Sequence, residues 1–425
     1  MHNAYRTDSQ RPRAPKVTEE DPLVLNMKRV LLSANKFSTR FYSVMNEYTP
    51  EDSAESIEAN PSSEDLVYSP ITIFTSLVTL RNGAYRDTAN ELSTALSISK
   101  LNSTILYTGM RLLLQSIQHR TEEGSLNLIN RLFLDHSFHP DESFVNSVHD
   151  DFHGELVQTH FSNASAATSF VNSNMHVSSH GVLENVITHT EDNSTEELNT
   201  TLTVIDGGLM LVSGFTLEAE WERGFTPLLT RNESFTREDG YSTRIPMMHR
   251  DGSYFYGEIP ELNASALSIP YKGGRFSLNV ILPAEDISVA EVEQNLESFP
   301  FPAVLSRLKR QYVQVSLPRF QIHDTIDLIS PLEGIGITKC FSENHADLSN
   351  MVEDVGIGEL YLTNAVHKTF IDVSEGGSRV PSANFIEAVP AQARLLTPFT
   401  VNRPFVFFVY DQLLQTTVVV GRKAL

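Results

Sequence analysis

The sequence predicts an α+β protein folded as one large domain. Three observations point there: helical apolar periodicity near the start, alternating β-branched and aromatic runs through the middle and end, and no interior linker dividing the 425 residues. Length alone would permit two or three domains. Hydrophobic residues make up 40% and charged residues 20% of the chain, which supplies a sizeable core.

Residues 1–26 are polar, basic and Pro-containing and read as a flexible N-terminal extension, leaving 27–425 as the domain. A helix is expected in VLLSANKFSTRFYSVMNEY, with Leu32, Phe37, Phe41 and Val44 near one face. Residues 49–65, TPEDSAESIEANPSSED, are acidic, rich in Ser and Pro and nearly free of large apolar side chains, the composition of a mobile surface loop. A packed helix resumes at Ser69-Pro70, since Pro suits a first helical turn, and residues 71–82 are apolar nearly all round. Strands are expected in SLNLINRLFL (125–134), RFSLNVILP (275–283) and YVQVSLPRF (312–320). RPFVFFVYD and TTVVVGR near the end are apolar enough to be interior strands. Between strong strands lies SEGGSRVPSANFIEAVPAQARLLTPFTVNR, residues 374–403, with no steady period. A structureless run of that length inside a compact domain carries function, and buried-type strands follow it, so it is not a tail.

Charge and motifs narrow the function. There are 32 Lys+Arg against 53 Asp+Glu, a net charge of −21, which argues against nucleic acid or an anionic membrane surface as partner. No stretch approaches the ~20 apolar residues of a membrane span. The N-terminus MHNAYRTDSQRPRAPK lacks an apolar signal-peptide core, which favours the cytoplasm. Six Asn-x-Ser/Thr sequons, at Asn102, Asn163, Asn193, Asn199, Asn232 and Asn263, favour a secreted glycoprotein instead. The one cysteine, Cys340, allows neither an internal disulfide nor a thiolate metal cluster and reads as a small buried hydrophobe. No G-x-S-x-G elbow, H-E-x-x-H or G-x-x-x-x-G-K is present, and the 14 histidines show no ligand spacing, so no enzyme is expected. The densest basic run, Arg307-Leu308-Lys309-Arg310, reads as a solvated helix face rather than a heparin site.

Ten segments stand in order along the chain: LVYSPITIFTSLVTLRNGAYRDTANELSTAL (66–96), NRLF (130–133), VNSNMHVSSHGVL (171–183), LVSGFTLEAEWERGF (211–225), RIPMM (244–248), SIPY (268–271), VILP (280–283), ADLSN (346–350), VHKTFIDVSEGG (366–377) and RPFVFFV (403–409). In that order, along nearly its whole length, the chain resembles the serpin family. The first segment matches the family's first long signature and the second its third central-sheet strand. The third resembles a family helix with Asn174 where Trp is usual, and the fourth the following strand.

The resemblance implies helices around a large central mixed sheet with smaller sheets, an exposed reactive-centre loop, a monomer, and no cofactor or metal. It implies a suicide-substrate inhibitor. A serine protease attacks the loop, forms an acyl-enzyme, and is trapped as the loop's N-terminal part inserts into the sheet, an example of strand addition. Ser69, Thr72, Ser213 and His367 match the polar shutter under the sheet, with Ser213 where Asn is usual, implying a looser cluster. Glu375, Gly376, Gly377, Ser378, Arg379, Val380 and Pro381 fall at the hinge. Phe385-Ile386-Glu387-Ala388-Val389-Pro390 resembles the run before the scissile residue and puts the reactive bond at Ala391–Gln392, bait for an elastase-like enzyme. The runner-up, Arg394–Leu395, would suit a trypsin-like enzyme. Inhibitors carry small residues where this chain has Arg379-Val380-Pro381-Ser382, so a non-inhibitory carrier, storage or chaperone-like serpin is the alternative.

Overall fold

The computed structural model describes residues 21–47, 64–118, 124–188, 208–380 and 395–424. Its helices are α1 (Pro22–Glu47), α2 (Pro70–Gly83), α3 (Arg86–Ala95), α4 (Ser103–Gln118), α5 (Glu142–Asp150), α6 (Ala164–Ser178), α7 (Val289–Leu296), α8 (Phe301–Arg307) and α9 (Ile329–Gly334). Its strands are β1 (Leu66–Tyr68), β2 (Gly124–Asp135), β3 (Glu155–Thr159), β4 (Gly208–Glu220), β5 (Arg231–Thr236), β6 (Ser242–Ile259), β7 (Ala264–Pro270) and β8 (Phe276–Pro283). The remainder are β9 (Lys309–Pro318), β10 (Phe320–Asp327), β11 (Tyr361–Val373), β12 (Gly377–Ser378), β13 (Thr397–Thr400), β14 (Phe405–Asp411) and β15 (Thr416–Lys423). The α+β expectation holds. The acidic run 49–65 falls almost entirely outside the described residues, as do residues 1–20.

Local chemistry moves several expected boundaries. Helix α1 begins at Pro22, not near residue 27. The Asp21 carboxylate accepts from Leu23 N at 2.9 Å, and Pro at the first helical position forgoes an N–H that would be orphaned there. Its buried stripe is Val30, Ala34, Phe37, Phe41 and Met45; Leu32 falls off that stripe and is 57% exposed, and Val44 is half-buried. The run YVQVSLPRF crosses from β9 to β10, because β9 ends at Pro318. Arg307, Lys309 and Arg310 are exposed and Leu308 is half-buried, but the run is not a helix face: α8 ends at Arg307 and the alternation of β9 begins at Lys309.

Two sheets organise the molecule. The six-stranded sheet runs β10-β11-β12-β4-β2-β3. Asn130–Phe133 lies on β2, one strand in from the β3 edge; the third strand from that edge is β4. Strands β11 and β4 pair directly, in parallel, from Tyr361↔Gly208 to Phe370↔Thr216. Beyond that point β12 stands between them, with Ser378 opposite Val373 on one side and Ala219 on the other. The sheet is therefore closed along most of its length and already parted at one end. The second sheet has nine strands, β1-β15-β14-β8-β7-β6-β9-β13 with β5 on β6. The expected smaller sheets merge here because β6 is 18 residues long and pairs with both β9 and β7.

Helix α2 lies against the inner face of the six-stranded sheet and is buried from Pro70 to Leu80. Helix α6 covers the outer face, where Val171 and Met175 pack with Ile129, Phe133, Met210 and Val212. The closed part of the seam thus lies between two packed layers.

Candidate functional site

The four residues assigned to the shutter meet at the closed part of the β4–β11 seam. Ser69 caps α2; its hydroxyl donates to Val418 O at 2.7 Å and lies 2.8 Å from Thr72 Oγ1. Ser69 N donates to His367 Nε2 at 3.0 Å, so that nitrogen is an acceptor. Thr369 Oγ1 is also 2.8 Å from Nε2, a residue the sequence reading passed over although the strand period puts it on His367's face. The proton then sits on Nδ1, 2.8 Å from Ser213 Oγ, which donates on to Val366 O at 3.3 Å. Burial pushes His367 down to about 3, and the ring is neutral. Ser213 reaches His367 across the seam, so replacing the usual Asn leaves the link intact. The missing amide has a neighbour, Asn130 on β2, paired to Ser213; its Nδ2 donates to Thr79 Oγ1 at 2.7 Å, while its Oδ1 is buried without a partner. The cluster holds the seam by bonds that can exchange partners, which an apolar contact cannot do without leaving a void.

The segment that the resemblance assigns to the hinge differs from its expected form. Residues 374–403 read as exposed loop, yet Ser374 to Ser378 are buried. Small side chains and backbone bonds explain this. Trp221 N donates to Gly376 O at 3.0 Å, its indole N–H to Ser374 O at 2.8 Å, and Phe225 N to Glu375 O at 2.9 Å. Glu375 accepts from Thr230 Oγ1 at 2.8 Å and lies 4.0 Å from Arg319. A Cβ on Gly377 would stand 2.1 Å from Ala219 O, at φ 149°, so only glycine fits. Ser378 Oγ meets Tyr271 OH at 2.6 Å, and Tyr271 stacks on Trp221 with centroids 4.4 Å apart. Trp221 and Tyr271 were not foreseen as hinge residues; the available signal was that Trp221 is the single tryptophan. At the far end of the loop, Thr397–Thr400 joins β9 as β13 and Leu395 is fully exposed.

Pro381, Ala391, Gln392 and Arg394 lie outside the described residues, as do Asn193 and Asn199. Asn102, Asn163, Asn232 and Asn263 are exposed. Asn174 is half-buried and accepts from Arg131 at 3.3 Å, so an Asn–Arg contact stands at the position the resemblance gives to Trp. Cys340 is buried, and burial raises its thiol far above the ordinary range. Among the described residues no group of three His, Cys, Asp or Glu side chains is placed to hold a metal, and no helix is long and apolar enough to cross a membrane.

The sequence and the fold have counterparts in known proteins. The family profile described as Serpin (serine protease inhibitor) matches residues 49–424. Neuroserpin of Gallus gallus is 28% identical over 374 residues, covering 86% of this chain and 87% of that protein. Antithrombin-III of Homo sapiens is 27% identical over 432 residues, covering 99% and 87%. Among solved structures, Serpin48 of the insect Tenebrio molitor superposes with a TM-score of 0.78 at 23% identity, covering 96% of this chain and 99% of that one. Human thyroxine-binding globulin, solved with its ligand, gives 0.76 at 25% identity, covering 93% and 98%. These neighbours are inhibitors or binding proteins rather than catalysts. With the family match spanning most of the chain and the fold agreeing, this protein belongs to the serpin family.

Proposed function

We propose that this serpin inhibits a serine protease as a suicide substrate. The protease attacks Ala391–Gln392, an acyl-enzyme forms, and the freed loop enters the six-stranded sheet between β4 and β11. The observation that carries this reading is Ser378, already hydrogen-bonded between those two strands while they remain paired below it. Continuing that register, the thirteen residues Ser378–Pro390 would run ~43 Å down the seam at ~3.3 Å per residue, enough to carry a bound protease across the domain. The Ala388-Val389-Pro390-Ala391 run suits a shallow primary pocket of the elastase type. Exposure of four sequon asparagines supports a secreted glycoprotein.

Mixing the protein with an elastase tests it. An SDS-resistant complex and a released C-terminal peptide starting at Gln392 are expected. A peptide starting at Leu395 would move the bait to Arg394 and the target to trypsin-like enzymes. Cleavage of the loop with no complex from either enzyme class would leave the carrier reading. That second reading has its own support: an open, largely apolar pocket between α1 and α8, lined by Tyr42, Leu296, Phe301 and Tyr410, and the similarity to a thyroxine-binding protein.

A further inference from the structure

Arg379 is the point where the chain leaves the sheet. It follows Ser378 with φ 55°, a left-handed conformation that a residue with a Cβ adopts only under constraint. Its N–H still donates to Asp372 O at 3.1 Å. Arg379 has thus kept its register with β11 and turned away from β4. Ser378 faces Val373 and Ala219, so one further step of both ladders sets Arg379 between Asp372 and Glu218. By strand alternation all three side chains then share the outer face, opposite to Ser213 and His367.

No ion pair or side-chain hydrogen bond joins any two of these three residues; only the backbone bond links Arg379 to Asp372. Asp372 Oδ1 is buried without a hydrogen-bond partner, a costly state for a carboxylate oxygen. Glu218 and Arg379 line one cleft of about 470 Å³ and carry the fixed charges among its described lining residues. Lys368, on the same face of β11, donates to Thr325 instead.

We infer that Arg379 is the electrostatic catch of loop insertion. It swings from the left-handed to the extended conformation, and its guanidinium closes between Glu218 and Asp372. The motion relieves the strained backbone and gives the buried carboxylate oxygen its partner in one step. It commits the hinge before the rest of the loop follows. Arg379 acts here as a positioning residue, and the inference rests on the inhibitory reading above.

Trp221 reports the event, since it is the single tryptophan and binds the hinge directly. The full-length protein is cut within residues 385–395 by a metalloprotease, which forms no acyl-enzyme. Trp221 emission then follows insertion, and the melting midpoint is compared before and after the cut. Arg379→Met should slow the emission change about three- to tenfold and reduce the rise in midpoint. Arg379→Lys should restore most of both. In a Glu218→Gln/Asp372→Asn background, Arg379→Met should have little further effect. The uncut variants should melt with the wild type. A wild-type rise that is unchanged in Arg379→Met overturns the catch alone. So does an Arg379→Met effect of equal size in the double-variant background, or an equal loss of midpoint in the uncut protein. A wild type that shows no rise after the cut removes the insertion reading and the catch with it.

Discussion

At His367 one ring nitrogen accepts from Ser69 N and the other faces Ser213, so a second proton has nowhere to go without breaking the seam. An unfolded imidazole titrates near ~6.5. The folded value, about 3, lies below that. The contribution of His367 is therefore full above the unfolded value and is lost as pH falls toward 3, by about 1.4 kcal/mol per pH unit. Asp324 on β10 runs the other way. Its carboxylate accepts from Val67 N at 2.9 Å, yet burial raises it to about 6. Its folded value lies above the unfolded ~3.9, so its contribution is full below ~3.9 and is lost as pH rises through 6. Between pH 6 and 4 the two groups offset each other. Asp324→Asn removes the offset and should make stability fall faster than in the wild type across that window, by on the order of 2–3 kcal/mol in total. Urea denaturation at pH 7, 6, 5 and 4 measures it; parallel curves would contradict the assignment.

At the scale of the element, the proposed inserted strand has two unusual positions. The register of β12 alternates: Arg379 bonds to β11, so Pro381, two residues on, would face Phe370 of β11. Pro supplies no N–H, and the Phe370 carbonyl would lose its partner there, at a cost of about 1–3 kcal/mol. Asn384 in the same register would stand between Ser213 and His367, on their face. The polar side chain that looks misplaced in a strand going into a core thus meets the polar row of the shutter. Trapping is a race between insertion and hydrolysis of the acyl-enzyme, and each ~1.4 kcal/mol in the insertion barrier slows it about tenfold. Pro381→Ala should lower a stoichiometry of inhibition that begins clearly above one, and Asn384→Leu should raise it. Titration of a reactive protease decides both, and equal stoichiometries would show that neither position limits the trap.

For the whole molecule, the seam between β4 and β11 is where the six-stranded sheet parts. Parallel pairing there is closed by a polar cluster, and one end is already wedged open by two residues. A complete new strand would add about a dozen backbone bonds and bury side chains such as Val380 and Ile386, worth about 1.5–3 kcal/mol each when fully buried. Cutting the loop should therefore raise the melting midpoint by tens of degrees. A thermal melt after limited proteolysis checks it, and an unchanged midpoint after a clean cut would weigh against a sheet that accepts its own loop.

Alternating runs such as 125–134 and the apolar run Phe405–Asp411 made the strands legible from the sequence, because burial of a pleated face demands that pattern. So did the loop that breaks the pattern, and Ser69, Thr72, Ser213 and His367 were recoverable through the family likeness. Partnership across distant strands was not legible. The Leu32 error arose because several helical faces fit one stretch until packing selects among them. The seating of Ser374–Ser378 depends on Trp221, Phe225, Thr230 and Tyr271, which lie more than 100 residues away in the chain. Asn130 entered the seam because β2 pairs with β4 in one particular register. By itself the sequence determined two of the helices, the long apolar and alternating strand runs, and that one long segment would be left over. The tertiary structure decided that the sheet is already parted at Ser378, because hydrogen-bond register between strands is a property of their pairing and not of either strand alone.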